Sequence, residues 1–171
     1  MKSVIRDISL ADSGRQKIEW VRKNMPLLRG LEEEFSNTKP FNGVNVTVSV
    51  HLEAKTAYLA KVIAAGGGNV SVTGSNPLST QDDVAAALAA DGLNVFAWYN
   101  ATREEYSEHL NMALGDKPNI IIDDGGDLVN MLHTKRTDLL PHVFGGCEET
   151  TTGIMRLKAM ERDGALKFPM V

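Results

Sequence analysis

Short β-branched segments alternate with alanine- and leucine-rich segments along this chain, and few folds accept such a sequence. The alternation is typical of α/β proteins, in which a helix crosses over between two parallel strands. We therefore predict a doubly wound, mainly parallel, Rossmann-like sheet with helices on both faces, formed by residues 1–171 as a single domain. The predicted strands are residues 44–50, 70–73, 94–98, 119–122, 143–144 and 166–171.

Helix-forming sequence fills the intervals between these strands. Residues 10–35 carry apolar side chains at helical spacing and are divided by Pro26, which predicts a pair of helices. Residues 81–90 are mostly alanine, and Ser79 or Thr80 is the expected N-cap of that helix. The other helices are predicted at residues 53–65, 104–114 and 127–133, and in a segment that ends at residue 163.

The stretch 119–127, Asn-Ile-Ile-Ile-Asp-Asp-Gly-Gly-Asp, places carboxylates where a buried strand leaves the sheet. Three consecutive isoleucines suit a strand that is covered on both faces. In open α/β sheets, ligands bind outside the carboxyl ends of the strands. The stretch also suits an ordinary strand-to-helix turn, with Asp127 as N-cap and the glycines relieving backbone strain, so two interpretations stay open.

Polar residues follow several predicted strands at this same edge. They are His51, the loop 76–81, Asp123 with Asp124, and the segment 148–152. Parallel strands would bring them to one crevice. A histidine beside two or three carboxylates is suited to general acid and base chemistry, because imidazole titrates near neutral pH.

Each of these groups also has a purely structural interpretation. His51 can cap the end of a strand or helix. Glu148 and Glu149 can begin a helix, where negative side chains interact favourably with the helix dipole. Cys147 is expected to be a small packed residue, since no base that would activate a nucleophile is evident near it.

Charge and composition exclude several classes of partner. The net charge is −4 and there is no block of lysine and arginine, which argues against a nucleic-acid or anionic-membrane surface. A small molecule is the expected partner. Residues 1–11 lack the continuous apolar core of a signal peptide, and the single cysteine excludes an internal disulfide, so we expect a cytoplasmic protein.

Motifs for metal and dinucleotide binding are incomplete. His51-Leu52-Glu53 imitates the first half of a zinc deaminase signature, but the second half needs two cysteines and the chain has one. His109, His133 and His142 lack ligand spacing, so we predict no metal. Gly66-Gly67-Gly68 precedes a predicted strand rather than a helix and therefore does not match a dinucleotide fingerprint.

Five blocks of sequence carry a resemblance to a known family. In this order they resemble the N-terminal substrate-binding region of S-adenosylhomocysteine hydrolase, in register across essentially the whole chain. The Glu-Ala-Lys-Thr version at 53–56 resembles archaeal and some thermophilic bacterial members. The blocks are residues 12–15, 51–57, 76–82, 119–127 and 148–153.

The resemblance implies reversible cleavage of S-adenosylhomocysteine to adenosine and homocysteine. In that family a bound NAD+ oxidises the ribose 3'-hydroxyl, which acidifies the C4' proton; homocysteine is eliminated, water adds, and the ketone is reduced back. The resemblance further implies that His51 and Asp124 handle protons near C5' and the departing sulfur. It implies that Glu149 holds the ribose hydroxyls.

The same resemblance implies binding roles for other positions. Glu53, Lys55, Thr56 and Asn76 would meet the base or ribose of the substrate. Family members often differ at the first two of these positions, which leaves the choice between adenine and hypoxanthine open.

For the cofactor, the resemblance implies that Thr150, Thr151 and Thr152 reach toward NAD from the substrate side. Members of the family continue beyond Val171 into an NAD-binding domain, so the main NAD site is expected to be absent from this chain. We therefore expect a substrate-binding domain that is truncated before the NAD-binding domain, is inactive alone and self-associates as a homo-oligomer.

Two other functions compete with this one. One is a stand-alone nucleoside-binding or regulatory module of the same fold without catalysis. The other is a receiver-like or phosphatase-like domain with Mg2+, which needs an acid at the end of its first strand, where this chain has His51.

Overall fold

A computed structural model describes residues 3–171, in which six strands and seven α-helices alternate. The strands are β1 (Val4–Ile5), β2 (Asn45–Val50), β3 (Asn69–Gly74), β4 (Asn94–Ala97), β5 (Ile120–Asp123) and β6 (Gly145–Glu148). The helices are α1 (Ala11–Asn24), α2 (Pro26–Thr38), α3 (Ala54–Ala65), α4 (Asp82–Ala90), α5 (Arg103–Ala113), α6 (Asp127–Thr134) and α7 (Thr151–Arg162). Short 3-10 helices lie at Ile8–Leu10, Leu114–Asp116 and Thr137–His142. None of the helices in this range is long and apolar enough to cross a membrane.

The strands form one parallel sheet in the order β1-β4-β3-β2-β5-β6, which confirms the predicted doubly wound α/β fold. β2 lies inside the sheet, where Val48 pairs with Val72 of β3 on one side and Ile122 of β5 on the other. From β2 the chain winds outward through β3 and β4, and then crosses to β5 and β6. The strand order therefore reverses between β2 and β5, the position at which open parallel sheets bind ligands.

A hydrophobic core lies on each face of the sheet. Helices α1 to α4 cover the first face, and their cluster includes Ile18 and Leu88. Helices α5 to α7 cover the second face, and their cluster includes Leu110, Leu128 and Leu157. The central strands are buried from both sides, which explains their continuous β-branched sequence.

The first face is less completely covered at β5 and β6. Ile120 and Ile122 are half-buried, and Cys147, which pairs with Ile122, is exposed. The expectation that Cys147 is a packed residue was therefore wrong. Because partners in register point to the same side of a sheet, the three side chains share this partly open face.

The prediction of a strand at residues 143–144 was wrong by two positions. Val143 ends a 3-10 helix, and β6 begins at Gly145. Glycine disfavours strand prediction, yet here a Cβ at Gly146 would stand 2.5 Å from Ile121 Cγ1. The close approach of neighbouring chain segments therefore requires glycine where strand propensity favours a β-branched residue.

The two ends of the described chain also join the sheet. Met170 forms a parallel bridge with Gly146, so the strand predicted at residues 166–171 exists only as this short pairing. β1 was not predicted, because two residues give no periodic pattern; Val4 pairs with Phe96 of β4.

The turns before two helices differ from their predicted form. Ser79 and Thr80 do not cap α4; their hydroxyls donate to the carbonyl of Asn76, and the N-cap is Gln81. Asp127 is the first residue of α6 rather than its cap. The cap is Gly126, whose φ of 81° favours glycine.

Candidate functional site

An imidazole and a carboxylate lie together at the carboxyl ends of β2 and β5, and this edge region is termed the crevice. His51 directly follows β2 and Asp124 directly follows β5. His51 Nε2 lies 3.5 Å from Asp124 Oδ2, and the side chains are 48% and 9% exposed, respectively. The reversal of strand order places these residues side by side although they are far apart in sequence. The imidazole is open to a ligand, while the carboxylate is held beneath it.

Two serines from the loop after β3 fix this pair. The Ser75 hydroxyl donates to Asp124 Oδ2 at 2.6 Å, and the Ser79 hydroxyl contacts His51 Nδ1. The contacts form one chain from Ser79 through His51 and Asp124 to Ser75. Sequence reasoning gave neither serine a chemical role, although both lie in a loop that follows a parallel strand, and that position was the available signal.

Asp123 points away from the crevice and orders the turn behind it. It is fully buried, and its two carboxylate oxygens accept the N–H groups of Asp124 and Val129, each at 3.0 Å. Burial raises the pKa of Asp123 to about 7, and the nearby charges of Glu148 and Asp127 act in the same direction. Of the two adjacent aspartates, only Asp124 lies beside His51.

Two adjacent glutamates at the end of β6 also differ in surroundings. Glu149 is exposed, and its N–H donates to the carbonyl of Asp123 at 3.0 Å. Glu148 turns inward, and its Oε1 accepts the N–H of Gly125 at 2.7 Å. The glutamate to which the resemblance gave a role is thus the one available to a ligand.

The three threonines at the start of α7 divide in the same way. Thr150 is the N-cap: its hydroxyl accepts the Gly153 N–H at 3.0 Å and donates to Glu148 Oε1 at 2.7 Å. Thr151 and Thr152 are exposed in the first turn. The positive end of the helix dipole lies there, which suits polar or anionic ligand groups.

The start of α3 supplies a second set of polar groups. Glu53 is the N-cap, and its Oε1 accepts the N–H groups of Lys55 at 3.0 Å and Thr56 at 3.2 Å. Thr56 is buried, whereas the Lys55 side chain is exposed. A groove of about 560 Å³ runs between α1 and this turn, lined in part by Trp20, Glu53 and Lys55.

Asn76 has a structural role in the loop after β3. Its Oδ1 accepts the N–H of Leu78 at 2.9 Å, which closes a local turn. Asn76 itself is exposed.

The other titratable groups within residues 3–171 are dispersed. Within residues 3–171 no group of three or more His, Cys, Asp or Glu side chains is arranged to hold a metal ion. His109 is buried against Trp98, with ring centroids 4.2 Å apart, and burial lowers its pKa.

A family model described as S-adenosyl-L-homocysteine hydrolase matches residues 2–141. The chain belongs to the S-adenosyl-L-homocysteine hydrolase family. Its relatives include the S-inosyl-L-homocysteine hydrolase of Methanocaldococcus jannaschii, 56% identical over 98% of this chain and 40% of the relative. The corresponding protein of Methanococcus maripaludis is 55% identical over 99% of this chain and 41% of the relative. The adenosylhomocysteinase of Pyrococcus abyssi is 53% identical over 98% of this chain and 40% of the relative.

This chain therefore spans about 40% of the length of those members of the S-adenosyl-L-homocysteine hydrolase family. The positions to which the resemblance assigned roles follow four different strands and lie at the carboxyl edge of one sheet. They are His51, Glu53, Lys55, Thr56, Asn76, Asp124, Glu149, Thr150, Thr151 and Thr152.

Proposed function

We propose that this chain is the substrate-binding part of an NAD-dependent hydrolase that cleaves S-adenosyl-L-homocysteine, or its inosyl counterpart, reversibly to a nucleoside and L-homocysteine. The observation that carries the proposal is the His51–Asp124 pair, 3.5 Å apart at the reversal of strand order. Family membership supplies the class of reaction. The names of the relatives supply both nucleosides, adenosine and inosine.

In this proposal His51 and Asp124 move protons beside C5' of the ribose. Ser79 and Ser75 hold the two side chains so that the imidazole stays over the carboxylate. A general acid or base must lie within hydrogen-bond reach of the atoms it serves, and the His51 imidazole, which is 48% exposed, is accessible to a bound substrate. Glu149 accepts hydrogen bonds from the ribose hydroxyls.

The base and the cofactor would lie on either side of this pair. Glu53, Lys55 and Thr56 surround the base at the start of α3. The hydroxyls of Thr151 and Thr152 are exposed at a helix N-terminus, which fits polar groups of NAD. When bound, NAD supplies reversible removal of hydride from the ribose.

The decisive experiment is calorimetric titration of the purified chain with adenosine and with inosine. We expect one of them to bind, and we expect Glu149→Ala to weaken binding at least about tenfold, because it removes a charged acceptor from the ribose hydroxyls. Glu161→Ala, an exposed glutamate at the far end of α7, is the matched control and should leave binding unchanged. Equal loss in both variants would contradict the proposal.

A second arm tests turnover. Because the chain spans about 40% of the relatives' length, we expect no hydrolysis by the chain with NAD alone. Adding the NAD-binding part of a relative as a separate chain should restore turnover, and Asp124→Asn should abolish it. Hydrolysis by the chain without the added NAD-binding part would contradict the proposal that this chain carries only part of the active site.

A further inference from the structure

Two loops that carry proposed site residues meet at one half-buried glutamate, Glu148. Glu148 Oε1 accepts the N–H of Gly125 at 2.7 Å, in the loop between β5 and α6. The same oxygen accepts the N–H of Thr150 at 3.0 Å and its hydroxyl at 2.7 Å, at the start of α7. Asp124 immediately precedes Gly125, and Glu149 lies between Glu148 and Thr150.

The surroundings of Glu148 are built around this carboxylate. A Cβ at Gly153 would overlap the carboxyl group of Glu148, so glycine at this helical position leaves the space that the side chain occupies. A stretch of helix would ordinarily favour alanine over glycine. The arrangement therefore gives up helix propensity to admit a carboxylate.

The carboxylate is also costly to bury. Its second oxygen, Oε2, is buried and has no hydrogen-bond partner within residues 3–171. A group that served stability alone would be expected to satisfy both oxygens, because an unpaired buried polar atom is unfavourable. Three donors converge on the other oxygen, and hydrogen bonds to an ionised acceptor are the stronger kind.

We propose that Glu148 is a positioning residue that clamps the Asp124 loop to the start of α7. It fixes the loop that carries Asp124 and sets Glu149 and the exposed threonines beside that loop at the end of β6. The role of the clamped residues in catalysis rests on the proposed function. The clamp itself concerns only the geometry of the two loops and does not depend on the proposed function.

The test is amide hydrogen exchange by NMR, together with the ring resonances of His51 as a reporter of the position of Asp124. In Glu148→Ala we expect exchange at Gly125 and Thr150 to accelerate at least about tenfold, the effect of losing hydrogen bonds to a charged acceptor. The His51 ring shifts should change in the same variant, because the loop that carries Asp124 is loosened. Glu148→Gln keeps one acceptor oxygen and should show a smaller change of the same kind.

Gly153→Ala provides an independent variant that keeps the glutamate. Helix propensity alone predicts that this substitution stabilises α7. The clamp instead predicts that the added methyl displaces the Glu148 carboxyl group and accelerates exchange at Gly125 and Thr150, as expected for Glu148→Ala. Glu161→Gln, on the exposed end of the same helix, is the control and should change neither observable. Exchange rates are compared with that of Val48 in the buried centre of β2, so that global destabilisation is subtracted.

Three results would overturn the clamp. They are unchanged exchange at Gly125 and Thr150 in Glu148→Ala, acceleration at Val48 equal to that at the two loops, and His51 ring shifts that stay fixed while the loops loosen. Failure of the proposed function has a different signature. In that case the wild-type chain binds neither nucleoside, while the exchange and ring measurements still decide whether Glu148 clamps the two loops.

Discussion

Individual residues at the carboxyl edge divide into those that face the crevice and those that hold the edge together. His51, Asp124 and Glu149 belong to the first group, and Asp123 and Glu148 belong to the second. The adjacent pairs of acids alternate because successive residues leaving a strand point to opposite sides. This division has a measurable consequence in the pH dependence of stability.

Asp123 should make the protein less stable as pH rises from acidic to neutral values. Its folded pKa of about 7 lies above the ordinary 3.8, so folding takes up a proton between these values. The stabilising contribution is complete below the unfolded pKa and is lost as pH rises through the folded one, at about 1.4 kcal/mol for each unit of difference.

We expect Asp123→Asn to reduce that loss, measured by urea unfolding between about pH 4.5 and about pH 7.5. Asparagine has one acceptor oxygen fewer than aspartate, so the substitution will lower stability at every pH. The comparison is therefore between the slopes of stability against pH. Asp163→Asn, an exposed aspartate just beyond α7, should keep the wild-type slope. An unchanged slope in Asp123→Asn would show that the buried carboxyl stays ionised.

At the scale of secondary structure, sequence predicted the elements that are buried on both faces and missed those shaped by close contact. β2 was predicted as residues 44–50 and observed as Asn45–Val50, because its valines and threonine suit a strand covered on both faces. β6, Gly145–Glu148, carries no β-branched residue. Its glycines are required by the close packing of the neighbouring segments. Contacts between segments that are distant in sequence leave no periodic signal in the sequence.

The same limit applies to the site. Parallel strands with polar residues at their ends predicted that His51 and Asp124 would share an edge. The hydrogen bonds of Ser75 and the inward turn of Glu148 depend on side-chain directions, which residue type alone does not determine. The functional roles remain predictions that the titrations above test.

Gly146→Ala should lower the free energy of unfolding by roughly 1–3 kcal/mol, because the added methyl meets Ile121 and Met170 in a packed position. Gly30→Ala, in the middle of α2, is the matched control, since nothing lies within 4 Å of an added Cβ. It should raise stability by up to about 1 kcal/mol through helix propensity. Chemical denaturation of both variants checks the pair, and a neutral Gly146→Ala would refute the close packing of β6.

For the whole molecule, the uneven cover of the sheet is the dominant feature. The first face is open beside β5 and β6, where Cys147 is exposed, and Phe144 just before β6 is 67% exposed. Large contiguous apolar patches on a protein surface favour association with another surface. We propose that the isolated chain self-associates through it.

Phe144→Ser should weaken self-association at least about tenfold in light-scattering measurements over a concentration series, because burying a phenylalanine contributes roughly 1.5–3 kcal/mol. Leu27→Ser, on α2 and 78% exposed, is the control for general loss of apolar surface. Equal weakening by the two substitutions, or a monomeric wild-type chain at all concentrations, would contradict this assignment.

The order of strands also governs when the molecule can assemble during synthesis. β2, β3 and β4 are consecutive in the chain and adjacent in the sheet, so they can pair as soon as they leave the ribosome. β1 is synthesised first, but Val4 of β1 pairs with Phe96 of β4, which is synthesised much later. β1 therefore stays unpaired until β4 has been made. The His51–Asp124 pair forms only when β5 docks on the finished half-sheet. A nascent chain that has released β4 but not β5 therefore contains four adjacent strands of the sheet but lacks the crevice between β2 and β5.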